Sequence, residues 1–114
     1  MFIKNTGMDD KILGLIERLS ICQAKCNYCF NACLKEEDVK MMVRCIKLDK
    51  ECAEICSITL SQIASDSEFK REILQLCAKA CEECANECKK HSYPHCQKCA
   101  AACEECAEAC RNFI

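Results

Sequence analysis

Glycine and proline are nearly missing from this sequence, with two of the first and one of the second among 114 residues. A loop-rich fold built on tight turns is thereby excluded. Tryptophan is absent, and tyrosine and valine occur twice each, which leaves too few strand formers for a β-sheet. No excess of basic charge exists either. Sixteen Lys and Arg stand against eighteen Asp and Glu, for a net charge of −2, so there is no electrostatic footprint for nucleic acid or an anionic membrane surface. No apolar run approaches the roughly 18 residues of a membrane span. Met1 to Gly14 lacks a basic segment followed by an apolar one, so an exported precursor is not expected and a cytoplasmic location is. What remains is dominated by Ala, Glu, Lys, Leu and Ile, and all but Ile are strong helix formers. The length suits a single all-α domain over 1–114, preceded by a short tail over 1–8.

Cysteine is the exception to this plain composition. Sixteen in 114 is about 14%, a density that in a short secreted chain signals a disulfide scaffold. In a reducing compartment the same residues are thiols, and they point to metal or redox chemistry. They fall in four groups: Cys22, Cys26, Cys29, Cys33; Cys45, Cys52, Cys56; Cys77, Cys81, Cys84, Cys88; and Cys96, Cys99, Cys103, Cys106, Cys110. Steps of 3 and 4 alternate, with one step of 7. That rhythm is the seam of a helix facing a bundle core. The groups also repeat: CAKACEECANEC from Cys77 and CAAACEECAEAC from Cys99 are identical at nine of twelve positions. Cys22 to Cys33 keeps the same cysteine spacing, and in the second group Asp49 occupies the place of a cysteine.

The seams continue into apolar residues. The rhythm predicts helices near 9–35, 37–64, 67–91 and 94–112, with Ser65-Asp66-Ser67-Glu68 as a capping box and Pro94 in a first turn. Short connections make successive helices antiparallel, giving an up-down-up-down four-helix bundle with a cysteine-lined core. All four thiol stretches then share one half of the bundle, each roughly 16 Å long. Ile12, Leu15, Leu19, Ile63, Phe69, Ile73 and Phe113 are expected to plug the other half. Phe30, Ile46 and Ile55 are placed on outward faces, where they could serve an oligomer or pack between helices.

Several chemistries compete for these thiols. Residues i and i+4 of a helix hold their Cβ atoms about 5–6 Å apart, and a disulfide needs roughly 3.5–4.5 Å, so CxxxC pairs cannot close within a helix. Packing alone does not account for sixteen cysteines in place of Leu and Ile. CxxC pairs recur at Cys26/Cys29, Cys81/Cys84, Cys96/Cys99 and Cys103/Cys106. Zinc ribbons carry that motif on tight turns rather than inside helices. A thiol redox enzyme needs one exposed, activated pair. The ferredoxin run C-x2-C-x2-C-x3-C-P is absent. Charge separates the metals. Four Zn²⁺ on sixteen thiolates leave −8 in the core, whereas sixteen Cu(I) leave it near zero, and isolated buried charge is costly. Cu(I) is soft and selected by thiolate and thioether ligands. The reading is a non-enzymatic Cu(I) store, buffer or detoxifier holding multiple ions. A thiol redox protein or a zinc or iron–sulfur protein is the alternative.

With its repeated CxxxC seams over about Ile12 to Phe113, the sequence resembles the cytosolic copper storage proteins, a cysteine-rich four-helix-bundle family. The resemblance implies Cu(I) held inside the bundle and commonly a homotetramer; copper donor or acceptor proteins are the partner class expected of a copper store. The resemblance also implies ligands at the open end, where His91 and His95 flank the third connection and Met41 and Met42 begin the second helix. Met42 lies on the seam, and Asp49 is a further candidate ligand or hydrogen-bonding neighbour of the metal. Against this stand solvent-exposed histidines and an aspartate turned outward onto Lys50. Glu82-Glu83 and Glu104-Glu105 read as solvated outer faces.

Overall fold

A computed structural model of the chain describes residues 9–114; the tail expected over 1–8 lies outside them. Four helices follow in order: α1 Asp10–Leu34, α2 Val43–Ala64, α3 Lys70–Cys88 and α4 Pro94–Phe113. α1 packs against α2 and α4, and α3 against the same two, which closes the ring of an antiparallel bundle. No described helix is long and apolar enough to cross a membrane.

The helix ends show where local sequence rules hold and where they yield. Asp9 caps α1, its carboxylate accepting from the Ile12 N–H at 2.8 Å, a contact worth about 1 kcal/mol. Pro94 opens α4 as expected, with Tyr93 before it in extended conformation. α2 begins at Val43 rather than near 37, because Val39–Met42 winds as a 3₁₀ turn. The capping box expected at Ser65 to Glu68 does not form. Those residues instead close α2: Asp66 takes a left-handed φ of 55°, Ser67 N–H reaches Gln62 O at 2.9 Å and Asp66 N–H reaches Ile63 O at 3.2 Å. This is the Schellman arrangement, with aspartate where glycine is usual. Ser67 Oγ then accepts from Phe69 N–H at 3.0 Å, and α3 starts three residues later than the capping box implied, at Lys70.

All sixteen cysteines are buried and unpaired. The apolar half is closed by Leu15, Leu19, Ile63 and Leu74, at most 3% exposed, with Thr59 fully buried among them. Thr59 is satisfied by donating to Ile55 O at 2.7 Å. Two expected plug residues differ. Phe69 is 61% exposed, since it precedes α3 and no seam holds it. Leu74 takes the buried place on α3 and Ile73 is only half-buried, because Leu74 lies three residues before Cys77 on the seam. Ile12 and Phe113 are half-buried against the core, as are Ile46 and Ile55, which pack inward rather than presenting an outer face. Phe30 is half-buried under the Lys50 ammonium, 5.6 Å from its ring centroid.

Ala78, Ala85, Ala100 and Ala107 are buried along α3 and α4. The outward glutamates lace neighbouring helices: Glu82 with Arg111, Glu83 with Arg44, Glu104 with Lys89 and Glu105 with Arg18. Such exposed pairs contribute about 0–1 kcal/mol each.

Candidate metal centre

The helical seam turns every third or fourth side chain inward, so four seams project their sulfurs onto a shared axis. Within a helix, neighbouring sulfurs on the seam stand 3.8 Å apart for Cys29/Cys33 and 4.0 Å for Cys22/Cys26 and Cys99/Cys103. Between helices the spacing is similar: Cys26 to Cys103 is 3.5 Å, Cys52 to Cys81 3.6 Å, Cys45 to Cys88 3.6 Å and Cys33 to Cys96 3.9 Å. These separations suit weak S–H hydrogen bonds among neutral thiols, or sulfurs sharing a metal ion.

Sets of four sulfurs lie within 4.8 Å of one another along the axis. From the loop end they include Cys29/Cys33/Cys45/Cys96, then Cys26/Cys84/Cys99/Cys103, Cys22/Cys26/Cys52/Cys103, Cys22/Cys52/Cys56/Cys81 and Cys56/Cys77/Cys81/Cys106. One such set alone would suit a tetrahedral S₄ zinc site. The last four sets overlap, however: Cys22, Cys26, Cys52, Cys56, Cys81 and Cys103 each belong to two of them, and the loop-end set joins them through Cys45, 3.6 Å from Cys88, which is 3.9 Å from Cys84. Adjacent ions would have to share sulfurs. The array is therefore one continuous ligand field, suited to clusters of bridged ions rather than to separate mononuclear sites. Burial pushes the Cys33 thiol up and the Cys96 thiol up to about 12. Without metal these two are neutral, and a bound cation must displace their protons.

Asp49 is fully buried and faces the array. Its Oδ1 accepts from Cys84 at 3.3 Å, Cys99 at 3.4 Å and Cys88 at 3.5 Å, and its Oδ2 from Cys45 at 3.8 Å. Lys50 points elsewhere, 3.7 Å from Glu54. Burial raises the Asp49 carboxyl from 3.8 to about 8, with nearby Cys99 adding to the rise.

At the loop end the two histidines part company. His95 touches the array through Nδ1, 3.4 Å from Cys29, 3.5 Å from Cys96 and 4.0 Å from Cys33. Its Nε2 lies 2.8 Å from Glu36 Oε2, and its ring stacks on Tyr93 at 5.4 Å between centroids. His91 binds Glu87 instead, Nε2 to Oε2 2.9 Å, and no hydrogen bond joins it to a thiol among the described residues. Met42 is buried at the same end and Met41 is 74% exposed.

A family model described as copper storage protein matches residues 8–114. The chain belongs to the copper storage protein family. Its curated relative in Bacillus subtilis, an uncharacterized cysteine-rich protein named YhjQ, is 47% identical over 82 residues, 72% of this chain and 76% of that one. Among solved structures, the Cu(I)-bound copper storage protein BsCsp3 of Bacillus subtilis superposes with a TM-score of 0.87 at 45% identity, covering 90% of this chain and 97% of the other. A cytosolic copper storage protein from Streptomyces lividans, seen during copper loading with five coppers, gives 0.88 at 33% identity over 91% and 92% of the two chains.

For a member of the copper storage family the thiols and Asp49 were legible in the sequence as one seam. Glu36, Glu87, Asp38 and Tyr93 were not. Tyr93 Oη donates to Asp38 Oδ1 at 2.6 Å, and Glu36 meets His95 across 59 positions. An acidic residue in a connection carries no pattern of its own; only the closed bundle brings the first and third connections together.

Proposed function

We propose that this chain stores multiple Cu(I) ions on the thiolates of Cys22, Cys26, Cys29, Cys33, Cys45, Cys52, Cys56, Cys77, Cys81, Cys84, Cys88, Cys96, Cys99, Cys103, Cys106 and Cys110, with no catalysis. The observation that carries it is the overlap of the four-sulfur sets into one array. Soft ligands select a soft ion, and a monovalent ion allows every thiolate in a shared, buried field to be balanced. A divalent ion could fill only a fraction of the array before charge accumulates. His95 serves as a nitrogen ligand at the loop end, because its Nδ1 already lies among three sulfurs. Asp49 serves as an acceptor beside the ions in the middle of the array. The geometry supports His91 and Met42 as ligands less directly: His91 is held on Glu87, and Met42 is buried at the loop end.

Free thiols at this density require a reducing compartment, and the Streptomyces lividans relative is described as cytosolic, so the proposed location is the cytoplasm. Family resemblance supports a homotetramer, for which the exposed Ile21, Ile58 and Leu76 supply apolar surface; sedimentation tests it. Copper donors and acceptors are the partner class. Anaerobic Cu(I) titration against a competing chelator is the deciding experiment: uptake well beyond four ions per chain supports storage. Uptake of four or fewer, or preferential retention of zinc, would overturn it.

A further inference from the structure

Both loop-end histidines share one arrangement, and only one of them uses it toward the thiols. Each Nε2 faces a glutamate carboxylate, His95 on Glu36 at 2.8 Å and His91 on Glu87 at 2.9 Å. A carboxylate accepts and does not donate, so it selects the tautomer that carries its proton on Nε2. The other nitrogen is then left with a lone pair. For His95 that nitrogen is Nδ1, aimed at Cys29, Cys96 and Cys33. Were the proton on Nδ1 instead, the ring would present a donor to the thiols and could not ligate a cation there.

We propose that Glu36 is a positioning residue for metal capture: it fixes the Nε2–H tautomer and ring orientation of His95, so that Nδ1 is preset as the nitrogen ligand at the loop end of the array. The inference rests on the storage reading above. The support is unusually complete for one side chain. Glu36 holds one nitrogen, Tyr93 stacks on the ring with planes 6° apart, and Tyr93 is itself tied by its hydroxyl to Asp38 at 2.6 Å. Glu36 and Asp38 belong to the connection after α1, while Tyr93 and His95 lie at the start of α4. Two parallel links therefore join these segments and leave the imidazole little freedom to turn. Ligating histidines in metal proteins are held in this way by a carboxylate on the distal nitrogen, and losing that partner lowers metal affinity by about 10–100-fold.

The test compares Glu36→Ala, His95→Ala and the double variant in anaerobic Cu(I) titrations, with the tautomer of His95 read by nitrogen NMR of the ¹⁵N-histidine-labelled apo protein. The His95 site is identified as the one that His95→Ala removes. Glu36→Ala is expected to weaken that site about tenfold or more and to mix the two His95 tautomers. Glu36→Ala is expected to add nothing in the His95→Ala background. Glu36→Gln, which keeps the side-chain shape, covers the case of a poorly folded alanine variant; a smaller loss with partial tautomer mixing is expected. An unchanged tautomer and affinity in Glu36→Gln or Glu36→Ala overturns the proposal. So does a loss from Glu36→Ala that persists without His95. Normal core loading with no His95-dependent site overturns it while leaving storage intact, whereas a wild-type chain that takes up no Cu(I) overturns the storage reading itself.

Discussion

Oδ1 of Asp49 stands 3.3 Å from the sulfur of Cys84, a carboxyl group on α2 reaching across the bundle to a thiol on α3, while its neighbour Lys50 turns to Glu54. Because burial raises the Asp49 carboxyl from 3.8 to about 8, the folded protein holds this proton over a range where the unfolded chain has lost it. The folded state binds more protons than the unfolded one between those values, so apo stability falls as pH rises from about 4 to about 8 and levels beyond. The slope from this group is at most about 1.4 kcal/mol per pH unit. Asp49→Asn is expected to flatten that slope in urea denaturation of the reduced apo protein at pH 5 and pH 8. Equal slopes for variant and wild type would contradict it.

The same carboxylate touches only part of the array. Asp49→Ala is expected to weaken one or two Cu(I) sites and leave most of the capacity intact. Stepwise affinities from chelator competition check this, and a variant indistinguishable at every step would place Asp49 outside the metal chemistry.

Capacity follows from charge. Sixteen buried thiols balanced by a monovalent ion should take up on the order of one Cu(I) per cysteine. Metal-bound cysteine is thiolate, so loading should release the protons of the thiols that are neutral in the apo protein, those of Cys33 and Cys96 among them. A pH indicator in weak buffer measures the release. Uptake without proton release would mean that the array is not a thiolate store.

Leu19 is fully buried one turn before Cys22, at the boundary between plug and array. Leu19→Ala is expected to destabilise the apo protein by about 2–5 kcal/mol, while the thiol capacity persists. Chemical denaturation of the apo form gives the first value and titration the second.

The seam itself was readable because a helix repeats its inward face every 3 to 4 residues, and cysteine marks that face without ambiguity. Asp49 was readable for the same reason: it occupies a cysteine's place in a repeated unit. The rhythm carried strictly backward from Cys77 also lands on Leu74 rather than Ile73. Phe69 and the Ser65 to Glu68 segment were misread because local signals there compete. A serine-acid pattern that opens helices lost to the closing of α2, where Asp66 supplies the left-handed residue. The Glu36–His95 pair had no signal at all, since one member lies on the connection after α1 and the other at the start of α4, and they meet only after the bundle closes.

That pair also bears on the expected point of ion entry. Aliphatic side chains fill the end opposite the connections, with Leu15, Leu19, Ile63 and Leu74 leaving no ligand and, at interior packing density, little void for an ion to cross. At the other end a groove of about 510 Å³ between α1 and α4, lined by Ala24, Lys25, Tyr28, Pro94, His95 and Lys98, brings solvent to the His95 ring. That ring is in turn within 3.4 Å of Cys29. From there sulfurs follow at intervals under about 4 Å, close enough for an ion to pass by ligand exchange. His91 sits on the same end but is bound to Glu87. His95→Ala is therefore expected to slow Cu(I) loading and chelator-driven release several-fold, with His91→Ala and Met42→Leu each having a smaller effect. Capacity should drop by no more than the ion or two that His95 helps to hold. Stopped-flow loading of the three single variants is the measurement. Wild-type rates in His95→Ala, together with faster release from Leu15→Ala, would move the entrance to the apolar end.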